Sequence, residues 1–155
     1  MDALAHAREH AIEVELPWLA KLAPQARVVG VALSGANLRL CQAFARSLAE
    51  VLEQRAGRTL LIISSDMNHY ANDAETRRLD ALALDALDAL DVERLYRPVR
   101  ENQISMCGVL PACIVLDALR HLDRLHEAQR VAYATSADVS GDKSRVVGYA
   151  GMLFR

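Results

Sequence analysis

The sequence has no CxxC pair, no apolar run of membrane length and no surplus of positive charge, and each absence narrows what the chain can be. Its three cysteines, at 41, 107 and 113, are an odd number without metal-knuckle spacing. They suggest neither a disulfide framework nor a zinc knuckle, and a reducing cytoplasm fits them best. The longest apolar stretch, Val109 to Leu116, is interrupted by Pro111 and is far below the roughly 20 residues that a membrane span requires. The opening MDALAHAREH places charges where a signal peptide needs an apolar core. Lys and Arg number 18 against 20 Asp and Glu, and the basic residues are scattered, so no footprint for nucleic acid is present. GxSxG, HExxH, GxGxxG and GxxxxGK[ST] are all absent, which removes the usual hydrolase, zincin, dinucleotide and P-loop routes. No Gly/Ser linker, repeat or low-complexity tract divides residues 1–155, which read as a single domain.

What is there is a globular composition, 52% hydrophobic and 25% charged, in a chain long enough to bury a core. EHAIEVELPWLAKL, residues 9–22, has apolar residues at 12, 16 and 19, the spacing of a helix face, with Pro17 kinking or shortening it. Arg27 to Leu33 is a β-branched run and reads as a buried strand. Ser34 to Asn37 supplies a turn and a helix start, after which Leu40, Phe44, Leu48, Val51 and Leu52 recur at helical spacing until Gly57. Thr59 to Ile63 is apolar on both faces, as a central strand of a covered sheet would be. In the next long helix Leu79, Leu82, Ala86, Leu87 and Leu90 form the buried stripe, and Asp80, Asp85 and Asp88 the wet side. A short helix from Val92 to Tyr96 is closed by Pro98. Cys107 to Leu122 is a deeply packed helix whose Pro111 requires a start within about one turn of it. Two strands, Arg130 to Ala137 and Arg145 to Phe154, form an antiparallel pair around a tight turn at VSGDK. This order implies an α/β fold, a layered mixed β-sheet flanked by helices, with part of the sheet outside the chain.

The strongest chemical signal is LLIISSDMNHY, where a buried strand ends in hydroxyls, a carboxylate, an amide, an imidazole and a phenol. Ligands bind at the carboxyl ends of strands in open α/β sheets, because the following loops converge there. Asp66 and His69 are close enough for one turn to join them, and a carboxylate beside an imidazole suits acid/base work. The alternative makes Ser65 or Asp66 the N-cap of the next helix and His69 a surface residue. Cys107, if its helix begins near Gly108, lies at a helix N-terminus, where the dipole favours a thiolate nucleophile or metal ligand. Equally, a free cysteine commonly serves as a small core hydrophobe. Cys41 and Cys113 sit on apolar helix faces and read as core. His10, between Glu9 and Glu13, either orients a ligand or belongs to a solvated helix start.

Four stretches together resemble the Memo family, whose bacterial and archaeal members are called AmmeMemoRadiSam system protein B. They are EHAIEVELPWL, IISSDMNHY, MCGVLPACIVLDAL and TSADVSGDKSRVVGYAGM, in the order and spacing of that family's second half. The resemblance implies a fold similar to class III extradiol dioxygenases, which are non-haem iron enzymes. It carries the family's pocket residues onto Asp66, His69 and Cys107, with Ser64, Ser65, Tyr70 and His10 as ligand-binding neighbours. Two further histidines of that pocket, in HAGY-like and PSH-like motifs, have no counterpart here, so the domain is expected to be truncated at its N-terminus. Iron or another divalent metal is then expected in a longer protein and none in this fragment. Two functions follow from the resemblance. One is a metal-dependent, dioxygenase-like oxidoreductase acting on a small oxygen-bearing ligand. The other is a binding or scaffold protein working with radical-SAM and AMMECR-type partners. A third reading takes the chain as a truncated fragment with no activity of its own.

Overall fold

The computed structural model describes residues 6–7, 9–55 and 59–155, and the helix stop expected at Gly57 lies outside them. The chain divides into two compact units, residues 1–35 and residues 36–155.

In the first unit a 3-10 turn, Glu13–Glu15, leads into helix α1, Leu16–Leu22. Pro17 falls in the first turn of α1, where its missing N–H would have had no helical partner anyway. The helix expected from residue 9 is therefore shortened rather than kinked. Upstream, the Glu9 carboxylate accepts the N–H groups of Ala11 and Ile12 at 2.6 and 2.9 Å. Arg27 to Leu33, expected as a buried strand, carries no regular secondary structure, and Val28, Val29 and Val31 are exposed. A strand is defined by its ladder, and this run has no ladder partner among the described residues.

The second unit is built from helices α2 (Leu38–Glu53), α3 (Asp73–Asp88), α4 (Val92–Glu101) and α5 (Val109–His121). They are followed by strand β1 (Ala128–Thr135), a short helix α6 (Ala137–Ser140) and strand β2 (Gly148–Phe154). Asn37, Asn72 and Asp91 cap α2, α3 and α4, each side chain accepting an N–H three residues on. Helices α3, α4 and α5 end alike. Leu90, Gln103 and Asp123 take positive φ, and the next residue's N–H returns to a carbonyl five residues back, at Ala86, Val99 and Leu119.

Several helical faces differ from the sequence reading. The buried side of α2 is Cys41, Ala45, Ala49 and Leu52, while Leu40, Phe44 and Val51 are exposed. The stripe is turned by about one residue, because α2 lies against α5 through its small side chains. In α3 the buried set is Thr76, Leu79, Asp80, Ala83, Leu84, Ala86 and Leu87, whereas Leu82 is half-buried and Leu90 stands beyond the helix end. Asp80 is therefore a core residue, while Asp85 and Asp88 do face solvent and meet Arg130. Helix α4 runs past Pro98 to Glu101, since Val92, Leu95 and Val99 all anchor its buried face.

Strands β1 and β2 pair antiparallel, with Ala128 opposite Phe154, Thr135 opposite Gly148 and an irregularity between Arg130 and Ala132. This two-stranded sheet, packed on α3, is the sheet formed by the described residues, in place of the expected layered mixed sheet. Thr59 to Ile63 joins no strand. It lines a groove of about 460 Å³ shared with α5 and the end of β2, and Leu60 is 79% exposed. The connection between the strands is not a tight hairpin. Helix α6, Gly141 at φ +76° and an Asp142–Ser144 turn fill it. Here Arg77 of α3 pairs with Asp73 and Asp138, and Thr135 donates its hydroxyl to Asp73.

Two outcomes follow. Leu95 is fully buried, so Leu95→Ala should lower the unfolding free energy in urea by about 2–5 kcal/mol. The Thr135 hydroxyl and Arg77 hold the Asp73 carboxyl below its ordinary range, and the Thr135 N–H and Arg77 do the same for Asp138. A carboxyl lowered on folding contributes stability above the unfolded value, which is lost as pH falls through the folded one. The stability gap between the parent and Arg77→Gln should therefore narrow below a pH of about 4. A gap that stays constant under acid titration contradicts this.

Candidate functional site

Residues 64–71 are held between the start of α5 and the start of β2. Met67 donates its N–H to the Gly148 carbonyl, Gly148 donates to Asn68, and Tyr70 donates to Val146 at 2.7 Å. An isolated antiparallel bridge joins His69 to Val147. Asn72 caps α3, so neither Ser65 nor Asp66 is needed for that task.

Against α5 the approach is closer still. Gly108, the N-cap residue of α5, donates its N–H to Ser65 Oγ at 2.8 Å, and Ser65 donates its hydroxyl to the Asp66 carbonyl. A β-carbon on Gly108 would stand 2.3 Å from Ser65 Cβ and 2.9 Å from the Ser64 carbonyl oxygen. The neighbouring Cys107 sulfur accepts the Asp66 N–H at 3.1 Å and lies 3.7 Å from Ser65 Oγ. Cys107 is exposed, whereas Cys41 and Cys113 are buried core residues as expected. Burial raises both of those thiols, Cys113 to about 12.

His69 Nε2 lies 3.4 Å from Asp66 Oδ2 without the alignment of a hydrogen bond, and it has no hydrogen-bond partner among the described residues although the atom is buried. The His69 backbone N–H is taken by Ser105 Oγ at 2.7 Å, and Ser105 donates to Asn68 Oδ1. Tyr70 sits at φ +67°, a conformation that costs a non-glycine residue on the order of 1–3 kcal/mol. Its ring lies 5.6 Å from that of His69 and beneath the Arg145 guanidinium at 4.4 Å.

The structure thus brings together Ser64, Ser65, Asp66, His69, Tyr70 and Cys107, from segments some forty residues apart. His10 belongs to the other unit, where its Nδ1 stands 3.4 Å from Glu13 Oε2 and both side chains are exposed. Sequence reasoning counted the Asn68 amide in the polar cluster without giving it a role, and missed Asp80, Ser105 and the two close-approach glycines, 108 and 148. The glycines were flagged only by standing beside Cys107 and within RVVGYA.

The profile of the Memo-like protein family matches residues 1–153. The chain belongs to the Memo family. It is 35% identical over 154 residues to a MEMO1 family protein of Archaeoglobus fulgidus, covering 99% of this chain and 58% of that relative. A MEMO1 family protein of Aquifex aeolicus is likewise 35% identical, with 99% and 57% covered. One of Thermotoga maritima is 33% identical over 152 residues, with 98% and 53% covered. The chain therefore spans about half the length of these curated relatives. Among the described residues no helix is long and apolar enough to cross a membrane.

As donors to a metal, Cys107 and His69 supply one sulfur and one imidazole nitrogen. No group of three His, Cys, Asp or Glu side chains able to hold an ion occurs among the described residues. That falls short of the three protein ligands of a catalytic metal centre, so these residues do not by themselves fit a resident metal.

Because Ser65 and Gly108 leave no space for a methyl group, Gly108→Ala should destabilise the protein by about 1–3 kcal/mol. It should also slow alkylation of Cys107, measured by mass spectrometry under native conditions, because a displaced Ser65 carries the Asp66 N–H off the sulfur. An unchanged rate would show that the Gly108 contact does not hold Asp66 against the thiol.

Proposed function

We propose that Asp66, His69 and Cys107 form one wall of a small-molecule pocket, in which His69 moves a proton and Asp66 orients its ring. The observation that carries this reading is the His69 Nε2 atom, buried and without a hydrogen-bond partner among the described residues. Leaving a buried polar atom unsatisfied costs about 1–3 kcal/mol, a cost that a ligand completing the bond would remove. The ligand class that suits an imidazole, a carboxylate and the Tyr70 phenol is a small oxygen-bearing compound, such as a phenol. Cys107 stands at the pocket edge as a sulfur donor. Iron or another divalent ion would need further donors from outside these residues, and the dioxygenase-like activity belongs to that completed site. Metal analysis of a protein spanning the full length of the relatives, beside its Cys107→Ala variant, tests this. Bound metal in the first and its loss in the second is the expected result. Equal, near-zero metal in both removes the metal-dependent reading.

A non-catalytic binding role is the second reading, favoured by the apolar groove along Thr59 to Ile63. The resemblance points to radical-SAM and AMMECR-type proteins as partners. A pull-down against both that recovers neither counts against it.

A further inference from the structure

A carboxylate that no cation accompanies is an expensive thing to bury. Asp80 is fully buried on α3 and has no ion pair among the described residues, since the nearby Arg77 is engaged by Asp73 and Asp138. Both of its oxygens are nevertheless used. Oδ1 accepts the backbone N–H of Asn68 at 2.7 Å, and Oδ2 accepts the Tyr133 hydroxyl of β1 at 2.8 Å. Gly148 of β2 closes over the group, and a β-carbon there would fall within bonding range of Oδ2. Three segments distant in sequence therefore meet on one carboxyl group. Burial drives its proton affinity up, against the lowering effect of the Asn68 and Tyr133 bonds.

The residue that Asp80 holds is the one that sets the site. Asn68 stands between Asp66 and His69, and its Oδ1 accepts both the N–H and the hydroxyl of Ser105, whose oxygen in turn accepts the His69 N–H. A shift of Asn68 away from α3 would carry Asp66 away from the Cys107 sulfur and His69 away from Ser105. We infer that Asp80 is a positioning residue, which through Asn68 fixes Asp66 and His69 against Cys107. Nothing in that role requires the charge. An asparagine at position 80 keeps an acceptor for the Asn68 N–H and offers an amide to the Tyr133 oxygen, whereas an alanine releases both.

The inference concerns the geometry of the wall and is independent of what the pocket holds, so its test needs no metal and no ligand. Cys107 is the exposed cysteine and can be alkylated in the native chain with iodoacetamide. Asp80→Ala should lower the rate by roughly tenfold, the equivalent of one lost hydrogen bond to the thiolate, because the Asp66 N–H that stabilises the anion is withdrawn. Asp80→Asn should restore the parent rate. Cys107→Ala identifies the labelled site. Leu95→Ala, which destabilises the core without removing a hydrogen bond of this network, should leave the rate unchanged at temperatures where it stays folded. Should Asp80→Ala fail to fold, Tyr133→Phe removes one of the two anchors and should give a smaller decrease. A parent-like rate in the alanine or phenylalanine variant overturns the inference. So does an equal decrease in Leu95→Ala, or an asparagine variant that behaves like alanine.

Discussion

Two positions that cannot accept a β-carbon hold the second unit together. At Gly108 the backbone of residues 64–65 presses on the start of α5, and at Gly148 strand β2 presses on Asp80 and Met67. Neither glycine is there for an unusual φ. Each is there because a neighbour approaches its backbone more closely than a β-carbon permits, Ser64 and Ser65 at Gly108 and the Asp80 carboxylate at Gly148. These contacts grip residues 64–71 from both ends, and every polar group of the candidate site belongs to that segment or touches it. Ser65, Asp66 and His69 of that segment are therefore brought to Cys107, with the Asp66 N–H on a sulfur 41 residues further along the chain.

The polar layer under the site obeys a different logic from the apolar core. Leu95, Leu116 and Cys113 are interchangeable in principle with other side chains of the same volume. Asp80, Asn68, Thr76 and Ser105 are not, because each satisfies a particular donor or acceptor, and losing one orphans another. A network of this kind, buried at Asp80, Asn68 and Thr76 and open to solvent at Ser105, adds little net stability but allows few alternative arrangements of residues 64–71.

Local signals made the helices legible. Asn37, Asn72 and Asp91 are caps by residue type, and the apolar periodicity located α3 and α5 to within a few residues. The clustering of six polar side chains, Ser64, Ser65, Asp66, Asn68, His69 and Tyr70, after one apolar run was legible as well, and the structure brings Cys107 to it. What escaped was set by tertiary approach. Asp80 follows Leu79 and reads as wet by its charge, yet its spacing to Ala83, Leu84 and Leu87 puts it on their face. The α2 stripe was misplaced because size was read as burial, whereas close helix packing selects the alanines. The strands at 27–33 and 59–63 were read from composition, but a strand exists only with a neighbour, and neighbours are not written in the run itself.

The shared ending of α3, α4 and α5 has a consequence for assembly. Each helix turns back within a few residues, so contacts between successive helices close short loops at small entropic expense. The site is the opposite case: it needs residues 64–70 to meet residues 105–108 and then residues 146–148. Chain closure weighs most heavily there, and the helical layer can be complete while the pocket wall is still open.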